Sequence, residues 1–295
     1  MTLDDAIEGS DETVIDAIGV LGNRRRLEVL LALAEAGERS DGARATLTFS
    51  ELYDAVDLDS SSQFAYHLDR LVGPFLSETD DGYRLTYSAN KIVRAIRSGE
   101  YESTPAFEAR AIDGVCVFCE SASLVATLED EHFLVRCDQC ASTLVTDLFP
   151  QSQSRGRTPA EIVDSFGHRI WSSVVESRAA VCPECHGRVD ATVESLDRSG
   201  ESAAVLASTC RECGFTFSLP VEVAAVVHPA AISHCWENGI SLWDVPLWEF
   251  FEWIVSGAVT ADVDSLDPVN VRFELAFGGD SLHLRLDDSL AVTVA

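Results

Sequence analysis

Lysine is almost missing from this chain of 295 residues: of 21 basic residues only Lys91 is lysine, set against 49 acidic residues and a formal net charge of −28. Such a balance lacks the overall positive potential with which proteins ordinarily attract nucleic-acid phosphates. The charge reads as a habitat signal. In a cytoplasm filled with molar salt, as in halophilic archaea, the Debye length shrinks to about 3 Å, so a dense acidic surface stays soluble. Also missing are a signal peptide and any apolar run of the roughly 20 residues that a membrane helix needs. The chain is therefore expected in the cytoplasm, without a membrane partner, in a compartment that keeps thiols reduced. No nucleophile with its base, phosphate loop or carboxylate pair stands out, so no enzyme is expected.

What is present is cysteine in pairs. Eight of nine cysteines form four Cys-x-x-Cys units: Cys116/Cys119 with Cys137/Cys140, and Cys182/Cys185 with Cys210/Cys213. Two thiolates on one tight turn bind one side of a tetrahedral Zn²⁺, and a second turn carried by a β-hairpin supplies the other side. Each quartet is thus predicted to be a four-cysteine zinc ribbon holding a structural Zn²⁺. Strand-like runs lie between the turns at 124–128 and 132–135, then at 189–193 and 203–207. Glycines after Cys185 and Cys213 fit the left-handed residue such a turn needs; Glu120 and Ala141 stand there in the first quartet. Disulfides fit a reducing cytoplasm poorly, and four thiolates leave no open position for catalysis.

The first hundred residues read as helices and a hairpin. Val14, Ile15, Ile18 and Leu21 make the apolar stripe of a first helix ending at Gly22. Asn23 caps a second, carrying Leu27, Leu30, Leu31 and Ala34 and ending at Gly37. Ser50 caps a short third, with Leu52 and Val56. A fourth spans Ser60 to Val72, with Phe64, Leu68, Leu71 and Val72 on one side and Ser62, Gln63, Tyr66, His67 and Arg70 on the other. Strands around Asp80-Asp81-Gly82 follow, then a helix from Ser88 to Ser98 with Ile92, Val93 and Ile96 inward. This order describes a winged helix-turn-helix, whose second turn-unit helix reads base edges in the major groove.

The stretches Leu21-Gly22-Asn23-Arg24-Arg25-Arg26-Leu27, Phe49-Ser50-Glu51-Leu52, Phe64-Ala65-Tyr66-His67-Leu68-Asp69-Arg70-Leu71-Val72 and Gly82-Tyr83-Arg84-Leu85-Thr86 resemble those of haloarchaeal ArsR-type winged-helix transcriptional regulators. The resemblance implies a recognition helix at Ser60 to Val72, double-stranded DNA as partner, and a homodimer on a two-fold operator. The metal-sensing members carry a cysteine pair in the recognition unit, and this chain has none before Cys116. Candidate DNA contacts are Arg24, Arg25, Ser61, Ser62, Gln63, Tyr66, His67, Arg70 and Arg84; Gln63 and Arg70 have side chains suited to adenine and guanine edges. The bland alternatives are a solvated helix start for the arginines, a capping role for His67 and packing against the wing for Tyr66. Residues 1–100 carry ten basic and nineteen acidic side chains, a net −9, but arginine clusters locally at Arg24 to Arg26 and among Arg70, Arg84, Lys91, Arg94 and Arg97.

Downstream, Gln151 to Arg157 reads as a polar linker. A helix follows, with Ile162, Phe166, Ile170, Trp171 and Val174 at helical spacing, and another begins at His228-Pro229. Trp236, Trp243, Trp248 and Trp253 read as the core of a small domain, an effector pocket or dimer interface being the sharper alternative. Cys235 reads as a buried small residue, with thiol sensing as the minor alternative. The tail alternates Val271/Phe273/Leu275/Phe277, Leu282/Leu284/Leu286 and Leu290/Val292/Val294, a three-stranded antiparallel meander.

The expectation is an α+β multidomain chain: a winged helix-turn-helix over 10–99, zinc ribbons over 112–150 and 181–225, a connecting helix over 158–180, and Trp-rich helices plus meander over 228–295. The expected function is DNA-binding transcriptional regulation. The alternatives are an adaptor that docks on the transcription machinery without sequence-specific DNA binding, and a zinc or thiol-redox sensor.

Overall fold

In a computed structural model of the chain, residues 12–39, 45–102, 106–198 and 201–295 are described; Ser10, where the first domain is expected to open, lies outside them. The fold is α+β, its sheets all antiparallel and built from sequential neighbours. It divides between Ser103 and Thr104 into two compact units.

The first unit contains helices α1 (Glu12–Val20), α2 (Arg24–Arg39), α3 (Phe49–Ala55) and α4 (Ser61–Leu71), the hairpin β1 (Leu76–Thr79) and β2 (Gly82–Leu85), and α5 (Tyr87–Ser98). Its core joins Val29, Leu30 and Leu33 of α2, Leu52 of α3, Phe64, Leu68 and Leu71 of α4, and Leu76, Ala89 and Val93. Several local expectations are corrected. Val14, Ile15 and Ile18 of α1 are exposed, and the buried end of that helix is Val20. Gly37 does not stop α2, which runs on to Arg39. The cap of α3 is Thr48, not Ser50: Thr48 and Glu51 form a reciprocal capping box in which the Glu51 carboxylate accepts from the Thr48 amide at 2.8 Å. Ser60 caps α4 and Thr86 caps α5, each accepting from the amide three residues on. Of the three residues expected inward on α5, only Val93 is fully buried. Gly82 has φ +126°, and a Cβ there would run into the carbonyl of Leu47, which exchanges backbone hydrogen bonds with Tyr83. A residue with a side chain would push the hairpin off the body of the unit.

The second unit opens with a four-stranded sheet, β3 (Phe107–Ile112), β4 (Leu124–Glu129), β5 (His132–Cys137) and β6 (Thr143–Leu148). Its outer strands β3 and β6 were not expected from sequence. A one-turn helix α6 (Gln151–Ser154) occupies the expected linker, and α7 (Pro159–Arg178) follows, opened by a second capping box of Thr158 with Glu161. The second ribbon is a three-stranded sheet, β7 (Val189–Arg198), β8 (Glu201–Cys210) and β9 (Thr216–Pro220). Helices α8 (Glu222–Val226), α9 (Pro229–Glu237) and α10 (Leu247–Val255) then lead to the last sheet, β10 (Val259–Leu266), β11 (Val269–Phe277), β12 (Asp280–Leu286) and β13 (Val292–Val294). The expected three-stranded meander therefore has a fourth strand, β10, whose exposed Thr260, Asp262, Val263 and Asp264 blur a period-two pattern.

One core joins these elements. Phe133 of β5 stacks on Phe166 of α7 at 4.0 Å and meets Trp248 of α10 at 6.0 Å. Trp171 donates its indole N–H to the Val245 carbonyl at 2.7 Å, satisfying the only polar atom of a side chain buried among aromatics. Gly167 lets Pro246 approach: a Cβ there would lie 3.2 Å from the proline ring. Sequence placed all four clustered tryptophans inward, but only Trp248 is fully buried, while Trp236 is 72% exposed and Trp243 40%.

Candidate metal centres and nucleic-acid interface

Both cysteine quartets converge, with the four sulfurs of each within 4.8 Å of one another. In the first, Cys116 and Cys140 Sγ lie 3.6 Å apart, as do Cys119 and Cys137. In the second the separations are 3.7 Å for Cys182 and Cys213 and 3.5 Å for Cys185 and Cys210. A tetrahedral ion with metal–sulfur bonds of about 2.3 Å has sulfur–sulfur edges of about 3.8 Å. The cages therefore have the dimensions of tetrathiolate metal sites, whereas a disulfide needs about 2.05 Å. All nine cysteines are free thiols.

Local backbone geometry builds each cage. In every turn the amide of the residue after the second cysteine donates to the carbonyl of the first: Glu120 to Cys116, Ala141 to Cys137, His186 to Cys182 and Gly214 to Cys210. Those four residues all have φ between +57° and +74°. Only one of them is glycine, so the expectation that glycine marks the left-handed position holds for Gly214 and fails for Gly187. His186 takes the left-handed conformation, and Gly187 is required for space: a Cβ there would lie 2.6 Å from Glu212 Cγ and 3.1 Å from Cys185 Sγ. Amides also donate to sulfur, Phe118 to Cys116, Gly187 to Cys185 and Glu212 to Cys210, each at 3.4 Å, which favours the thiolate form that metal binding needs. Burial pushes the Cys116 thiol up to about 12, while hydrogen bonds from Ser142 bring Cys140 down to about 6. The second cage has an outer clamp that carries no sequence signature: Arg211, inside the last Cys-x-x-Cys, grips Asp190 of β7 through two bonds of 2.5 and 2.7 Å.

The two cages differ in what backs them. Cys116 and Cys137 belong to the large core with Phe133 and Trp248. Cys182 and Cys210 share a separate small cluster with Val189, bordered by Phe215.

In the first unit, α4 leaves Ser61, Ser62, Gln63, Tyr66 and Arg70 exposed. Gln63, His67 and Arg70, spaced i, i+4, i+7, share one stripe. His67, in the middle of that stripe, is half-buried; burial and the nearby Arg26 and Arg25 of α2 hold its pKa below the ordinary histidine value. Its Nδ1 and the Arg26 Nε are buried without a partner. Arg24 and Arg25 are both engaged by Glu28, at 2.8 and 2.9 Å, so a carboxylate already competes for the pair. Arg70, Arg84, Lys91 and Arg94 are exposed and make no ion pair with a described residue, whereas Arg97 bonds Glu38. Asp69 on α4 and Glu78 on β1 are acids that the sequence reading did not single out, although the spacing of Ala65, Asp69 and Val72 marks a second stripe.

Among the described residues no helix is long and apolar enough to cross a membrane. No curated protein and no solved structure matches the chain. Residues 14–96, from α1 almost to the end of α5, match a family described as a domain of unknown function, DUF7347. A second family, also described as a domain of unknown function, matches residues 113–292, from just before the first cysteine turn into β13. Since that match takes in both cysteine cages and more than half of the chain, the protein belongs to the DUF7351 family.

Proposed function

We propose that the protein is a DNA-binding transcriptional regulator of the ArsR-like winged-helix type, in which α3 and α4 form the turn unit, β1–β2 the wing, and each cysteine quartet holds a structural Zn²⁺. The observation that carries this reading is α4 itself. One side of it is locked into the core by Phe64, Leu68 and Leu71, and its capped, solvent-facing start presents Ser61, Ser62 and Gln63, with Arg70 two turns on. Amide and guanidinium groups held on a rigid helix are what direct readout of adenine and guanine requires. Arg84 on β2 and Lys91 and Arg94 on α5 add exposed basic side chains that make no ion pair with a described residue. A homodimer on a two-fold site is part of this proposal.

Binding in molar salt gains little from counterion release, so specificity rests on base contacts. Operator affinity measured across molar potassium chloride is expected to fall gently; a steep decline with salt speaks against this mode. Gln63→Ala together with Arg70→Ala is expected to lower operator affinity by about 30-fold or more, from one to three kcal/mol for each of the two lost base contacts, with the fold intact. Unchanged occupancy favours the adaptor instead, for which the exposed Trp236 and Trp243, both lining one groove, give a docking face.

Four thiolates saturate a zinc ion, leaving no position for water or substrate, so the metal's part is to hold the turns together. A sensor would bind and release the metal without unfolding, and chelation followed by circular dichroism and DNA titration separates these roles.

A further inference from the structure

Beside the Gln63, His67 and Arg70 stripe assigned to DNA, helix α4 carries a second stripe, the two sharing only Tyr66 among the candidate DNA contacts. Ala65, Asp69 and Val72, with Tyr66 and Leu68, meet Phe49, Glu78 and Tyr83 of α3 and the hairpin around a cavity of about 470 Å³. Three of its walls are aromatic and two groups on it are carboxylates. Phe49 is held edge-on against Phe64, ring centres 5.0 Å apart, and the Tyr83 hydroxyl donates to Glu78 Oε1 at 3.1 Å. Tyr66 stands 61% exposed at the rim. Neither Asp69 nor Glu78 forms an ion pair with a described residue.

Aromatic faces are electron-rich and attract cations, the more so where carboxylates add full negative charge. The combination repels anions and gives a neutral guest no use for the two charges. Leu68 and Val72 make part of the wall apolar, which penalises a small, strongly hydrated ion such as potassium and favours a cation that sheds water easily. The Tyr83 hydroxyl is already committed to Glu78, and the remaining lining is mostly aromatic and aliphatic surface beside the two charges. We propose that this cavity is a binding site for a quaternary ammonium compound, its methylated head lying against Phe49, Tyr66 and Tyr83 and its charge offset by Asp69 and Glu78.

The site does not depend on the DNA reading, and the test contains no DNA. Choline is titrated into the full-length protein at constant potassium chloride, followed by calorimetry or by its methyl NMR signal, beside its uncharged carbon isostere 3,3-dimethylbutanol. One saturable site is expected, with the isostere at least about tenfold weaker. Asp69→Asn with Glu78→Gln keeps the shape and should weaken choline about tenfold, as should Tyr66→Ala, whereas Tyr66→Phe keeps affinity within about twofold. No saturable binding, equal binding of the isostere to the native chain, or no change in the Asn/Gln variant with an unaltered melting curve overturns the proposal.

Discussion

His67 makes the stability of the first unit depend on pH, because burial, Arg26 and Arg25 all disfavour its charged form. With the folded pKa below the ordinary value near 6.5, the unfolded chain takes up a proton first. Stability is therefore complete above that value and is lost as pH falls through the unfolded and then the folded pKa. Thermal melts of the full chain are expected to shift downward as pH falls below about 7, and His67→Gln should flatten that dependence. A flat profile in the native protein would show that the imidazole finds a compensating partner on protonation. Gly82 is a second decisive position. Gly82→Ala combines a positive φ with a collision against the Leu47 carbonyl, and urea titration should show a loss of about 2–3 kcal/mol. Cys235 is the chemically quiet counterpart: fully buried, with burial pushing its thiol up to about 11, it should resist alkylation until the protein unfolds.

At the scale of elements, the cages and the helices follow different rules. The cysteine spacings were legible because a Cys-x-x-Cys turn is a local object, and the sulfurs meet as that chemistry requires. The core side of α4 was legible for the same reason, since Phe64, Leu68 and Leu71 fall on one face by helical period alone. What stayed hidden depends on remote neighbours. Trp236 and Trp248 share a residue type and an apolar setting, yet only Trp248 finds Phe133 across the unit. Likewise β3 and β10 are edge strands whose partly exposed faces break the alternation by which strands are found. The energetic consequence is measurable: Trp248→Ala should cost about 3–5 kcal/mol, whereas Trp236→Ala should stay within about 0.5 kcal/mol. Thr48→Ala, which removes a capping box, should cost about 1 kcal/mol.

For the molecule as a whole, charge and metal set the conditions under which it is folded. A net charge of −28 makes the compact state repel itself in dilute buffer, so melting temperature should climb as potassium chloride rises toward molar levels. Metal withdrawal should act unevenly. The first ribbon keeps Phe133 and Val135 inside the large core, but the turns of the second have only Val189 and Phe215 beside their cysteines. Hydrogen exchange after chelation is expected to lose protection first around Cys182 to Val189 and Thr209 to Phe215, while β4 and β5 hold on. Simultaneous loss at both would mean that the metal, rather than the aromatic core, secures the first sheet.

The separation along the chain of each cage's ligands also bears on biosynthesis. The cross-turn sulfur pairs are 18 and 24 residues apart in the first quartet and 25 and 31 in the second. Each cage could thus capture a metal while the ribosome is still making the next segment, whereas Phe133 must await Trp248, far downstream. With a metal in the first cage, its uptake precedes hydrophobic consolidation, and a nascent chain starved of the ion would expose Cys116 and Cys137 to oxidation before the aromatic core that buries them exists.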